Sequence, residues 1–241
     1  AWRCSPQTLA ARLGSRHVDL RSTLGPKPNG FSAPSCGFAA VAAHLAAGVR
    51  AVVHTAEREY EASSWAALKE GGQVLTWGHP RFGGDSSSVA AELASGVASI
   101  HETQGAFAAL KTSGAVVAWG SPQEGGNARA VGESIEEGVA QVFGLDHAFA
   151  ALKHAGAVVT WGSPECGGDS SAVADQLQGG VVRVQGNGFA CAALKETGAV
   201  VAWGDPDSGG DAGAVAEQLA GGVASLHCTH HAFAALKVAG A

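Results

Sequence analysis

The chain has 241 residues and a net charge of -6 at pH 7; 46% of its residues are hydrophobic and 15% are charged. This composition argues against disorder, the lack of a Gly-X-Y period excludes collagen, and no apolar run reaches the roughly 18 residues of a membrane-spanning helix. Residues 1 to 60 carry a charge of +4 and residues 61 to 241 carry -10, so the larger part should repel nucleic acid.

The first 48 residues differ in character from the rest of the chain. Residues 7–40 contain three prolines and carry a charge of +3, which predicts a basic inserted loop. Five cysteines are spread irregularly along the whole chain and form no CxxC pair, so neither a disulfide framework nor a zinc site is indicated. A reducing, intracellular compartment is favoured, and no cofactor is predicted.

From residue 49 onward the sequence repeats with a period of 42 residues. The segment AFAALKTSGAVVAWGSP at 106–122 returns, with small changes, at 148–164 and 190–206. One leucine and one tryptophan of each unit keep this spacing, at Leu68, Leu110, Leu152, Leu194 and Leu236 and at Trp77, Trp119, Trp161 and Trp203. A fixed period of this kind predicts supersecondary units that stack and bury a shared core.

Within each unit the local pattern predicts three strands and a helix. In the second unit, residues 97–101, 106–111 and 115–120 are short apolar runs, and a Lys-x-x-Gly turn joins the last two. The runs are apolar on both faces, so each sheet should be covered on both sides, as in stacked blades. A short helical segment should follow, with an acid or amide as its N-cap at Asp85, Asn127, Asp169 or Asp211.

The repeat is similar to that of a known family. The string GVxxVxxxxxAFAALKxxGxVVAWGxPxxGG resembles the repeat of the regulator of chromosome condensation family, and also that of a β-lactamase inhibitor protein propeller. The resemblance covers residues 49–54 and 65–241 and implies a β-propeller. This chain departs from the family in having proline for the usual asparagine and a helix for the usual fourth strand. Exchange-factor activity is implied by the family name alone, because a shared fold does not transfer function.

The repeats predict one propeller domain over residues 1–241. Its units lie at about 49–90, 97–132, 139–174, 181–216 and 223–241, the last completed by residues 1–6. Residues 1–6 read AWRCSP, which resembles AWGSP at 118–122 with one residue added. The predicted fold is a β-propeller-like repeat protein, a closed ring of five β-β-β-α blades. An excerpt of a larger propeller is the alternative.

The loops at one end of the blades vary from unit to unit. If the strands alternate in direction, the loops after the first and third strands open on the same rim. Varied loops on a repeated scaffold are typical of recognition surfaces. The candidate partner-binding residues on this rim are Arg81, Phe82, His101, Glu102, Gln123, Glu124, Asp146, His147, Glu165, Asp207, His230 and His231. The basic loop 7–40 should lie across this acidic rim, and a mobile loop is the alternative.

Other repeated residues have competing structural explanations. Lysine occupies one repeat position in all five units. These lysines form either a basic patch for an acidic partner or a set of solvated charges that protects the hairpin edges from pairing with other strands: Lys69, Lys111, Lys153, Lys195 and Lys237. The four repeat tryptophans fit a structural core better than a sugar-stacking set. The His227–His231 segment offers metal donors, but adjacent donors rarely converge on one ion, so no metal site is predicted.

No enzyme is predicted, because the chain has no nucleophile elbow, P-loop, HExxH motif or dinucleotide fingerprint. The favoured function is a scaffold that binds an unidentified protein partner through the varied rim. A lectin-like or small-ligand-binding propeller with pockets between its blades is the alternative. Neither nucleic acid nor a membrane is expected as a partner, and the sequence is compatible with a monomer.

Overall fold

The computed structural model describes residues 12–13, 16–17, 48–57 and 62–238. Each repeat forms one antiparallel sheet with its strands in chain order. The strands are Val49–Glu57, Ala62–Lys69 and Val74–Gly78 in sheet 1; Val97–Glu102, Ala106–Lys111 and Val116–Gly120 in sheet 2; Val139–Gly144, Ala148–Lys153 and Val158–Gly162 in sheet 3; Val181–Gly186, Ala190–Lys195 and Val200–Gly204 in sheet 4; and Val223–Cys228 and Phe233–Lys237 in sheet 5. A two-residue hairpin, Arg12–Leu13 with Arg16–His17, precedes them.

Two predictions lie largely outside the described residues. Residues 1–6 were expected to complete sheet 5, which has two strands in the described part of the chain. The expected course of the 7–40 loop is described only at the small hairpin. The three-strand pattern itself is observed in sheets 1–4, with strand bounds within one residue of those predicted for residues 97–120.

The turn between the second and third strands also joins one sheet to the next. In sheet 2, the Gly114 N–H donates to the Lys111 carbonyl at 2.9 Å, and the Val139 N–H of sheet 3 donates to the Gly114 carbonyl at 3.0 Å. Gly114 has a φ of +84°, and a Cβ atom built on it would lie 2.9 Å from the Gly138 nitrogen. Glycine is therefore required here by both the turn and the close approach of the next unit.

Short helical segments follow the third strands. The first of each pair is a 3-10 turn, at Pro80–Phe82, Pro122–Glu124, Pro164–Cys166 and Pro206–Ser208. The second is Ser87–Val89 with Ala90–Leu93, Arg129–Val131 with Gly132–Ile135, Ser171–Leu177, or Gly213–Val215 with Ala216–Leu219. Leu93, Ile135 and Leu177 are buried in the cores between sheets. Because segments this short are unstable alone, this packing stabilises them.

Side chains hold these helical segments at both ends. The Asp85 and Asp169 carboxylates accept the N–H two residues ahead, at 2.9 and 2.8 Å, so each acid acts one residue before the formal N-cap. At the other end, Lys153 Nζ donates to the Ser134 carbonyl at 2.8 Å, and Lys195 Nζ donates to Gln176 at 2.7 Å. Lys153 and Lys195 therefore bind the C-terminal ends of helical segments, a role that sequence analysis did not predict.

Consecutive sheets pack face to face through a repeated joint. The indole N–H groups of Trp119, Trp161 and Trp203 each donate, at 3.0 Å, to a glycine carbonyl in the turn that follows the preceding sheet. These three side chains are at most 4% exposed, as the core prediction requires. The first strands of neighbouring sheets also contact one another. Together these contacts give a β-propeller-like stack of antiparallel sheets.

Trp77 differs from the other repeat tryptophans. It is half-buried and stacks on Trp65, with ring centroids 6.2 Å apart. Within the described residues no sheet of the 42-residue repeat precedes sheet 1, so no glycine pair of a preceding repeat covers this indole. The core prediction therefore holds less well at Trp77, because burial of the indole depends on a neighbouring sheet.

Among the residues that the structure describes, no helix is long and apolar enough to cross a membrane.

Candidate functional site

A cavity of about 450 Å³ opens where the first strands end and the loops to the second strands begin. Residues from four sheets line it: His54, Glu102, Thr103, Gln104, Gly144, Leu145, Asp146, Gly186 and Asn187. Glycine at two strand ends allows this convergence. A Cβ atom on Gly144 would overlap the Glu102 carbonyl oxygen, and one on Gly186 would lie 2.8 Å from Leu145 Cδ2. We call this feature the axial cavity.

Buried polar side chains form hydrogen bonds that connect the loops around the axial cavity. Thr103 Oγ1 donates to the Glu124 carbonyl at 3.0 Å and accepts the Ala106 N–H at 2.9 Å. Asn187 Nδ2 likewise donates to the Ser208 carbonyl at 2.8 Å. The bonds to the Glu124 and Ser208 carbonyls each join the loop after a first strand to the turn after the third strand of the same repeat. The two kinds of loop therefore lie on one rim, as the strand directions predict.

Asp146 is the point where loops of several sheets meet. Its Oδ2 accepts a hydrogen bond from Gln104 Nε2 at 2.9 Å and lies 3.8 Å from His230 Nε2. The Gln104 N–H also donates to the Asp146 carbonyl at 2.8 Å. Sheets 2, 3 and 5 thus contribute to one polar cluster. The His230 side chain is 54% exposed, and its attraction to Asp146 requires the charged imidazolium form.

The rim between sheets 4 and 5 is aromatic. Phe189 stacks on His231 with centroids 5.6 Å apart and meets His230 edge-on at 5.5 Å. Ser208 Oγ donates to Asp205 Oδ2 at 2.6 Å, and it lies 3.5 Å from His231 Nδ1. Since both histidines are exposed, this surface presents flat aromatic rings and ring nitrogens to solvent.

Glu102 is the other carboxylate of the axial cavity. Burial raises its pKa, and a hydrogen bond to its own backbone N–H opposes that shift. Among the described residues, no cation contacts this carboxylate. The adjacent His101 lies within the first strand of sheet 2, where its ring nitrogen is 2.9 Å from Ser99 Oγ and burial lowers its pKa. His101 therefore belongs to the strand, while Glu102 reaches the cavity.

The predicted rim residues do not all lie at one place. Glu102 and Asp146 line the axial cavity, and His230 lies 3.8 Å from Asp146. His101 lies within a first strand, and His231 stacks on Phe189. The remaining residues lie in the turns after the third strands or beside them: Arg81, Phe82, Gln123, Glu124, Glu165, Asp207 and His147, whose carbonyl accepts the Ser163 N–H. Among these, Phe82 is only 3% exposed and anchors its turn against His79.

Sequence analysis did not single out His54 as a member of the cavity. His54 lies within the first strand of sheet 1, at the repeat position of Glu102. Six additional residues between Val49 and Leu68 obscure this alignment in the linear repeat. The available signal was the distance from the valine that opens the first strand, because His54 follows Val49 by five residues as Glu102 follows Val97.

The residues of the His227–His231 segment point to different neighbours. His227 Nε2 lies 3.2 Å from Ser225 Oγ, whereas Cys228 Sγ donates to the Gly186 carbonyl at 3.2 Å. In the part of the chain that the structure describes, no three His, Cys, Asp or Glu residues form a group suited to a metal ion. The alternation of a strand explains this divergence, because successive side chains face opposite sides.

Comparisons with known proteins give the following relationships. No family model matches the chain, and no curated protein matches it. Similar solved structures include the CRINKLY WD40 ectodomain of the Arabidopsis thaliana receptor kinase ACR4 (15% identity, TM-score 0.40, 66% of this chain), human WBSCR16 (20%, 0.37, 58%) and Saccharomyces cerevisiae Prp20p (14%, 0.44, 79%). The chain spans 58%, 44% and 51% of the lengths of these structures, respectively.

Proposed function

We propose that the chain is a non-enzymatic scaffold that binds a protein partner through the rim around the axial cavity. The observation that carries this proposal is the convergence of loops from several repeats, with different residues in each, on one end of a repeated framework. The buried polar groups at Thr103 and Asn187 bond internally, so the varied side chains remain for recognition.

The charge of the cavity indicates the kind of contact. Glu102 and Asp146 line it, and neither lysine nor arginine is among its described lining residues. A basic side chain of the partner would complement both carboxylates, and it would lower the raised pKa of Glu102 by stabilising the charged form. Binding should therefore weaken at high salt and as the pH falls through the pKa of Glu102.

The test compares proteins captured by three forms of the chain. The E102Q/D146N variant keeps the shapes of both side chains but removes their charges, and Glu196→Gln removes an exposed charge in a hairpin turn at the opposite end. A partner of the rim should bind the wild-type chain and Glu196→Gln equally and bind the double variant roughly tenfold less, equivalent to about 1.4 kcal/mol. Equal capture by all three forms would contradict the proposal.

A small-ligand binder is the second candidate, and the size of the axial cavity favours it. A volume of about 450 Å³ falls within the range of roughly 300–1,000 Å³ for ligand pockets. Buried tryptophans fill the three joints that connect sheets 1 to 2, 2 to 3 and 3 to 4. A ligand would therefore have one axial site rather than repeated sites between blades. Titration calorimetry with sugars and amines distinguishes one axial site from several sites between blades, because a stoichiometry of several equivalent sites would favour a lectin-like propeller.

A further inference from the structure

One position of the repeat lies in the loop after each first strand and carries a different residue in each unit. Gln104, Asp146, Gly188 and His230 hold this position, each 42 residues after the last. A Cβ atom on Gly188 would lie 2.9 Å from Asp146 Oδ2 and 3.3 Å from His230 Cε1. Because glycine has no side chain, Asp146 of sheet 3 and His230 of sheet 5 approach one another beside the loop of sheet 4.

His230 and His231 turn one ring nitrogen each toward the other. His230 Nδ1 lies 3.2 Å from His231 Nε2, and the ring planes meet at 61°. Two imidazole nitrogens that bind one Zn²⁺ at about 2.0–2.1 Å lie roughly 2.9–3.4 Å apart at bond angles of about 90–110°. The distance between these two inner nitrogens is therefore that of two ligands of a single ion.

The outer nitrogens of both rings face oxygen atoms. His230 Nε2 lies 3.8 Å from Asp146 Oδ2, and His231 Nδ1 lies 3.5 Å from Ser208 Oγ. Ser208 donates its hydroxyl proton to Asp205 Oδ2 at 2.6 Å, so its oxygen can act only as an acceptor toward His231. Both outer nitrogens are therefore favoured to carry the ring proton, because the partner of one nitrogen sets the tautomer.

This tautomer leaves a lone pair on each inner nitrogen of the histidine pair. Two lone pairs that face one another at 3.2 Å repel unless a cation lies between them. Histidines that bind metal ions generally donate their other ring N–H to a carboxylate, a carbonyl or a water. Asp146 and the Ser208 hydroxyl occupy the corresponding places beside the outer nitrogens.

We propose that His230 Nδ1 and His231 Nε2 bind one divalent transition-metal ion on the rim between sheets 4 and 5. Imidazole suits Zn²⁺, Cu²⁺ and Ni²⁺, whereas Mg²⁺ and Ca²⁺ prefer oxygen ligands. Phe189 stacks on His231 with an interplanar angle of 6°, which helps to hold that ring in place. Both histidines are exposed, so the other coordination positions are open to water or to a donor atom of a partner.

The sequence argument against a metal site was that adjacent donors rarely converge. That argument applies to His227 and Cys228, which lie in the strand Val223–Cys228 and have different neighbours. His230 and His231 lie in the loop after this strand, where successive side chains need not alternate. This inference goes beyond the proposed function, and its test uses a metal ion without a partner, so either can fail alone.

Calorimetric titration of the full chain with Zn²⁺ tests the site. His230→Ala and His231→Ala should each bind one ion fewer than the wild-type chain, and the double variant should lose no second ion, because both rings share one metal. His227→Ala is the matched control, since it removes another exposed histidine of the same segment and should leave the stoichiometry unchanged. In the presence of EDTA, the melting temperatures should be alike, because the replaced side chains are exposed.

Asp146→Asn tests the carboxylate beside His230 as a positioning residue. The variant keeps an acceptor oxygen but removes the charge, so it should weaken Zn²⁺ binding by about 10–100-fold. Both ligands remain, so pulsed electron paramagnetic resonance of bound Cu²⁺ should still detect two imidazole nitrogens. His230→Ala should remove this two-imidazole signal.

Three outcomes would overturn the assignment. The Zn²⁺ stoichiometry could be the same in His230→Ala, His231→Ala and the wild-type chain. His227→Ala could lose an ion as well, which would place the metal elsewhere in the segment. Nitrogen NMR at saturating Zn²⁺ could still show a proton on His230 Nδ1 or His231 Nε2, which would make a shared proton, rather than a metal ion, the cation between the rings.

Discussion

At the residue scale, the joint between sheets depends on a pairing of the smallest and the largest side chains. Gly125 has a φ of +91°, and a Cβ atom on it would lie 2.6 Å from Phe149 Cδ2. Its carbonyl accepts the indole N–H of Trp161, which leaves that buried donor satisfied. Any larger residue at Gly125 would push the aromatic pair away and break this contact.

Truncation of a joint tryptophan tests the packing. Trp119→Ala should lower the free energy of unfolding by about 3–5 kcal/mol, because it empties a core site and removes the bond to the Gly83 carbonyl. Trp77→Ala provides a matched control and should cost less, since Trp77 is half-buried. Urea denaturation measures both. Equal losses would show that the joint does not set the contribution of these residues.

Two glycine substitutions test the backbone requirement. Gly125→Ala should destabilise the chain by roughly 1–3 kcal/mol, through the positive φ and the contact with Phe149. Gly132→Ala places the same methyl group in a helical segment with no atom within 4 Å, so it should be neutral or stabilise by roughly 0.5–1 kcal/mol. Thermal unfolding compares them, and a similar loss in both would contradict the steric explanation.

At the element scale, side chains form hydrogen bonds with both ends of the helical segments: an acid or amide at the start and a lysine at the end. The Asp169 carboxylate binds the first turn of Ser171–Leu177, and Lys195 Nζ binds the Gln176 carbonyl near its end. The same pattern returns 42 residues earlier, with Asn127 and Lys153. These contacts satisfy backbone groups that a short helix leaves without partners.

The acid at the start of the segment predicts a pH dependence. The backbone hydrogen bond from Ser171 lowers the pKa of Asp169 below 3.8, so its contribution is present above that value and is lost as the pH falls through the folded-state pKa. Asp169→Asn keeps the acceptor oxygen, as Asn127 does in the preceding unit. The variant should therefore unfold with a shallower dependence on pH below about 4.

The control for this experiment is Asp175→Asn, which changes an exposed acid in the same helical segment. It should leave the acid limb of the unfolding curve as it is in the wild-type chain. The capping explanation would fail if Asp169→Asn and Asp175→Asn altered that limb equally.

At the scale of the whole molecule, each sheet depends on its neighbours for burial. Cys191 lies in the middle of sheet 4, is fully buried, and packs in the core that sheets 3 and 4 share. Burial raises the pKa of its thiol well above the usual range. The thiol should therefore react only when the stack opens, since the thiolate is the reactive form.

Thiol labelling measures this opening. In a chain whose other four cysteines are replaced by serine, Cys191 should react orders of magnitude more slowly than an unfolded control, and its rate should follow global unfolding in urea. Cys228, retained alone in a matched chain, is half-buried at the edge sheet and should react sooner. Fast labelling of Cys191 without denaturant would mean that sheet 4 opens independently.

Much of the fold was predictable because the same local sequence patterns recur in each repeat. The Lys-x-x-Gly turn, the apolar strand runs and the buried Trp119 follow from short-range patterns of turn chemistry and hydrophobicity. The partial exposure of Trp77 did not follow, because burial depends on whether another sheet lies against it.

The candidate site was predictable only in part for a related reason. Loop variation identified Asp146 and His230 as rim residues, but not their approach to 3.8 Å. His54 was missed because the additional residues in its hairpin obscure its repeat position. The roles of Lys153 and Lys195 depend on where a helix ends in space, which the spacing along the chain does not reveal.

The sequence by itself determined the period, the strands, the turns and the tryptophan positions, since these depend on residues near one another in the chain. Tertiary structure alone decided which strands meet at the axial cavity and which tryptophan is partly exposed. The physical reason is that burial and the approach of charges are set by distances between units. Identical repeats experience different surroundings according to their place in the stack.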